Sequence, residues 1–71
     1  MTRTEHLAWC KKRALELVRE GDLAGAVASM TSDMGKHEGT RFDGLSMLAM
    51  IGMMEIQKGP AAVRKWVEGF N

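Results

Sequence analysis

LVREGDLAGAV, residues 17–27, is the stretch that decides how this chain folds. Leu17 and Val18 complete an apolar stripe, Gly21 is the residue best able to take the left-handed conformation that ends a helix, and Asp22 carries a side-chain oxygen suited to cap the next one. Upstream, Thr2 followed by Glu5 makes a capping box, in which hydroxyl and carboxylate each satisfy an otherwise unpaired amide. A first helix is therefore expected from about Arg3 to Glu20. At about 100° per residue, Leu7, Cys10, Ala14, Leu17 and Val18 share one side of it, with Ala8 and Leu15 along the edge. Glu5, Lys12, Arg13, Glu16, Arg19 and Glu20 take the other side. Downstream, a second helix from about Leu23 to Met34 aligns Leu23, Val27, Met30 and Met34, with Ala26 beside them.

The next segment, GKHEGTRFDG at residues 35–44, has three glycines among polar residues and no period. It reads as a loop, closed by Asp43 as the N-cap of a third helix. That helix begins as LSMLAMIGMMEIQ, residues 45–57, continues to Lys58, and carries four of the chain's seven methionines. Leu45, Ala49, Gly52 and Ile56 make one face, Met47, Ile51 and Met54 the opposite one, and Met50 and Met53 fill the side between. A helix apolar all round is expected to be buried all round. Gly59 and Pro60 then break the chain, and Pro60 suits the first position of a last helix whose inward stripe is Val63, Trp66, Val67 and Phe70. No stretch carries the alternation of a strand.

Seventy-one residues allow one domain, spanning 1–71, near the lower size at which a single core supports folding. A hydrophobic fraction of 45% with 27% charged residues is ordinary for a globular chain and unlike a disordered one. Ten Lys and Arg against nine Asp and Glu leave a net charge of +1, which lacks the basic excess of a nucleic-acid binder and the acidic excess of a DNA mimic. The single cysteine, Cys10, has no internal disulfide partner, and no basic region followed by an apolar core opens the chain. A cytoplasmic protein is expected. The apolar run at Leu45 falls short of the roughly 20 residues of a membrane-spanning helix, so no membrane association is expected either.

CKKRALELVREGDLAGAVASMTSDM, residues 10–34, resembles a tetratricopeptide-type helical hairpin. Ala14 and Ala26 match the two small positions where paired helices touch, Gly21 and Asp22 match the tight turn, and Val27 and Met30 match large core positions. The stretch departs from the pattern at three places. Arg13 stands where the family has an apolar residue, Asp33 where it has a small one, and Glu38 where it has its closing proline. The resemblance implies an antiparallel hairpin, although one unit cannot form a repeat array with its peptide groove. From TEHLAWCKKRALELV through the methionine-rich segment to WVEGFN, the chain also resembles a family of short, uncharacterised accessory proteins of actinobacterial phages. That resemblance implies a product that acts by binding a host protein, and it includes no catalytic motif. The expected fold is all-α, a small four-helix domain in which an antiparallel hairpin is followed by a central apolar helix and a short C-terminal one.

Candidate sites are few. His6 and Cys10 lie four apart on one helix, with His37 as a third conceivable ligand, but one thiolate without a CxxC pair is a weak zinc signal. A buried Cys10 beside a boundary His6 is the expected arrangement, with no metal and no cofactor. A nucleophilic Cys10 and His6 pair is discounted because an inward cysteine is usually inert. Glu55 is read as a boundary ion pair with Lys58. With no paired carboxylates, glycine-rich phosphate loop or serine elbow, no enzymatic role is expected. Lys11, Lys12, Arg13 and Arg19 suggest a nucleic-acid patch, yet Glu5, Glu16 and Glu20 share that surface, so a solvated mixed-charge face is expected. A small helical DNA-binding regulator is the alternative function.

Two features point to protein binding. Trp9 projects away from the stripe of the first helix, near Arg13, Glu16 and Glu20, and is read as an anchor for a host protein with Arg13 and Glu16 beside it. The competing placement is under the loop or terminal helix of its own chain. The second feature is the methionine-rich helix, which three short neighbours can hardly surround, so some of Met47, Met50, Met53 and Met54 are expected to remain exposed in a lone monomer. Met47, Met50 and Met54 are the expected self-interface of a homodimer.

Overall fold

A computed structural model describes residues 2–37 and 43–70. Along the chain run α1 (Arg3–Arg19), α2 (Leu23–Gly35), α3 (Leu45–Glu55), a single 3-10 turn (Ile56–Lys58) and α4 (Pro60–Glu68). No strand occurs among the described residues, and the fold is the expected small all-α domain of four helices.

The local signals in the sequence act as their chemistry requires. Thr2 Oγ1 accepts from the Glu5 amide at 3.1 Å, while the Thr2 amide donates to Glu5 Oε1 at 3.0 Å. The same amide and hydroxyl hold the Glu5 carboxyl below its usual range. Their support for α1 is present at neutral pH and is lost as pH falls through that lowered value. At the other end, Gly21 takes φ +86. The Asp22 amide bonds back to the Leu17 carbonyl at 2.9 Å and the Gly21 amide to Val18 at 3.0 Å, the paired bonds of a Schellman ending. Asp22 then accepts from the Gly25 amide at 2.9 Å and starts α2. Two residues thus stop one helix and cap the next.

α1 and α2 make the most extensive helix contact in the molecule. Ala14 and Ala26 are both fully buried, and small side chains there let the helices approach closely. α4 closes the core. Leu7, Cys10, Ala14, Met30, Met34, Val67 and Phe70 form one cluster, and Val18, Ala26, Val27 and Val63 a second. Trp66 packs against both, with its ring edge-to-face on Phe70 at 4.9 Å between centroids. Lys11 Nζ donates to the Glu68 carbonyl at 3.2 Å, placing a cation at the negative end of α4.

The third helix differs from expectation in two ways. Asp43 is not its cap: Gly44 takes that place without a side-chain bond, leaving Asp43 one residue too far out to reach the first free amides. The α-helix ends at Glu55, and Ile56–Lys58 tighten into the 3-10 turn before Gly59 at φ +104. α3 is not buried all round, as the shortness of its neighbours leads one to expect for a single copy. Gly52 is its one buried residue, and Met47, Met50 and Met54 are 68, 69 and 67% exposed. Leu45, Leu48 and Ile56 reach the core, but α3 leans chiefly on α2 and α4, and a domain this small has no further wall to cover its other side. The middle of the preceding loop, 38–42, including Glu38, lies outside the described residues.

Gly52 is where α3 and α4 meet most tightly. A Cβ placed there would lie 2.7 Å from Trp66 Cζ2, so only glycine lets the indole lie on the helix backbone. Gly52→Ala gains about 1 kcal/mol of helix propensity but forces a packed ring aside at about 1–3 kcal/mol. The expected outcome is a net loss of about 1 kcal/mol, a fall of several degrees in Tm. In a Trp9→Phe background the emission of Trp66 should also move to the red. A higher Tm would show that the indole steps aside without cost.

Candidate partner-binding site

Asp33 stands on α2 facing α1 and is only 2% exposed. A buried carboxylate needs charges and donors around it, and it has them. Arg13 Nε donates to Oδ2 at 2.9 Å, Ser29 Oγ to the same oxygen at 3.2 Å, and Lys36 Nζ approaches Oδ1 at 3.4 Å. Its backbone carbonyl accepts from His6 Nε2 at 2.7 Å. His6 is consequently buried, not a boundary residue. Arg13 and Asp33, two of the departures from the hairpin pattern, are therefore partners.

Trp9 is built onto this arrangement. Its ring stacks on His6 at 5.6 Å, His6 stacks in turn on His37 at 4.8 Å, and the Arg13 guanidinium lies 4.7 Å from the Trp9 centroid. His37, His6, Trp9 and Arg13 thus form a column along α1. Trp9 remains 37% exposed, which fits neither a fully projecting anchor nor a ring hidden under its own chain. Glu16 is exposed and, with Arg13, Glu20 and Ser29, lines a shallow hollow of about 200 Å³. The three proposed contact residues therefore share one surface. Met47, Met50 and Met54 lie apart from it, on the solvent side of α3.

The other candidates resolve as follows. His6 commits Nε2 to the Asp33 carbonyl and Cys10 is fully buried; among the described residues no three His, Cys, Asp or Glu side chains are placed to hold a metal. Burial pushes the Cys10 thiol up, and the nearby Asp33 carboxylate adds to the rise. Lys58 pairs with Glu55 at 3.3 Å, as expected. Of the Lys11–Arg13 run, Lys11 is spent on the α4 terminus and Arg13 on Asp33, leaving Lys12 to solvent.

Two features escaped the sequence reading. Asp33 had a signal, since a cation and an anion replace two contact positions of the same hairpin. A groove of about 490 Å³ between Arg3, Met34, Leu48, Lys65, Trp66 and Phe70 had none, because its walls come from four separate parts of the chain. No family model, curated protein or solved structure matches this chain. No helix among the described residues is long and apolar enough to cross a membrane.

Arg13→Leu should leave Asp33 with only Ser29 and the longer Lys36 contact. The expected loss is about 1–3 kcal/mol, below that of a fully buried pair because the Arg13 side chain is half exposed. Combining it with Asp33→Ala restores an apolar and a small residue and should recover most of the loss in urea unfolding. A double variant as unstable as Arg13→Leu alone would mean that the pair is not the source. The raised Cys10 thiol should react with an aromatic disulfide reagent at pH 8 far more slowly in the folded chain than in urea.

Proposed function

We propose that this chain is a non-enzymatic interaction protein that binds a host protein through Trp9, Arg13 and Glu16. The observation that carries this reading is the state of Trp9, which is partly open to solvent yet held between His6 and Arg13. A large aromatic already fixed in place loses little freedom on binding, and tryptophan and arginine are both enriched in interface hot spots. The mixed charges of Arg13, Glu16 and Glu20 around it supply a polar rim. The sequence resemblance to phage accessory proteins supports a role in the host cytoplasm, where the chain modulates the protein it captures.

Immobilised wild type and Trp9→Ala, both exposed to an actinobacterial lysate, test the reading. The wild type should retain a specific protein that the variant loses, with affinity reduced at least about thirtyfold as for a hot-spot residue. Circular dichroism should stay helical, while Tm falls because the ring is packed against His6 and Arg13. Equal retention by the folded variant overturns the assignment of Trp9.

A further inference from the structure

We propose that the solvent face of α3 is a self-complementary seam along which two copies of this chain pair antiparallel. Met47, Met50 and Met54 recur at the three- and four-residue spacing of a coiled-coil seam and fall within an arc of about 60° on the helix. All three are about two-thirds exposed, with Ile51 and Met53 flanking them at 40 and 51%. From Leu45 to Met54 the helix carries no charge. The charges stand at its two ends: exposed Asp43 before it, and after it the Glu55–Lys58 pair, of which Lys58 at 69% is far more exposed than Glu55 at 22%.

That distribution selects the occupant. In an antiparallel pair with its two-fold axis between Met50 and Ile51, Met47 of each copy faces Met54 of the other, and Asp43 faces Lys58 of the other. Both ends then join opposite charges over an uncharged middle. A parallel pair would set Asp43 against Asp43 and Lys58 against Lys58. A second copy thus carries the complement this face requires, in the isologous form that closes as a dimer. The area sets the strength. Residues 43–58 span about 24 Å and a helix face is about 10 Å wide, so the contact falls at or below the low end of specific interfaces, under about 1,200 Å². The dimer is weak and concentration-dependent.

Sedimentation over a series from about 10 μM to 1 mM reads the association. The wild type should pass from one chain mass towards two, and Trp9→Ala should do the same, because this seam does not use Trp9. Folded Met50→Glu should stay monomeric. Under mild oxidation the Met47→Cys, Met54→Cys double variant should cross-link at least tenfold faster than Met47→Cys alone, whose thiols would be about 10 Å apart along the seam. This second measurement also decides the matter if Met50→Glu does not fold. A wild type that keeps one chain mass throughout overturns the proposal and leaves the face to a different protein. A dimer persisting in folded Met50→Glu overturns the seam, and equal cross-linking by the single variant overturns the antiparallel register.

Discussion

The Asp33 carboxylate, buried between α1 and α2, is the contact on which the arrangement of this small molecule depends. Desolvating a carboxylate costs several kcal/mol unless charge and hydrogen bonds compensate. Here Arg13 reaches it from α1, Ser29 and Lys36 reach it along α2, and His6 takes the neighbouring carbonyl. His6 and Arg13 lie about two turns apart on α1, so the two contacts together fix the rotation of α1 against α2 as well as its height. Two apolar or small residues at these places would pack adequately but would tolerate sliding. A buried ion pair of this kind adds little net stability, because the cost of desolvation offsets most of the attraction.

Trp9 inherits its placement from that contact. Arg13 is held by Asp33 and His6 by the Asp33 carbonyl, and the indole rests between the two. A residue in the helix interface therefore orders one on the surface. The same carboxylate contributes to the high pKa of the Cys10 thiol, although burial is the larger cause. Charge and surface order on this side of the molecule meet at one residue, through its carboxylate and its backbone carbonyl.

α3 follows a different constraint. Helices of 17, 13 and 9 residues surround it with too little surface, so the core takes Leu45, Leu48, Gly52 and Ile56 and leaves the methionines outside. Trp66 against the bare backbone of Gly52 makes the most of the one side that is covered. Methionine is the apolar residue best able to adapt to whatever surface lies opposite. Exposed apolar side chains grouped on one helix face are a common mark of a binding surface.

Local chemistry was legible in the chain itself. The capping box at Thr2, the glycine and aspartate that reverse the chain at 21 and 22, Pro60 at the start of α4 and the inward stripes depend on near neighbours, and each formed as its residues dictate. The Asp43 cap failed because Gly44, not Asp43, became the residue at the helix boundary. What tertiary structure alone decided was which surfaces meet. Arg13 and Asp33 stand 20 residues apart and read as two unrelated exceptions until α1 and α2 pair. His6 reads as a boundary residue until the carbonyl of Asp33 comes over it. The apolar circumference of α3 states a need for cover, but how much of it the other helices satisfy depends on their lengths and crossing, and a helical period carries no record of either.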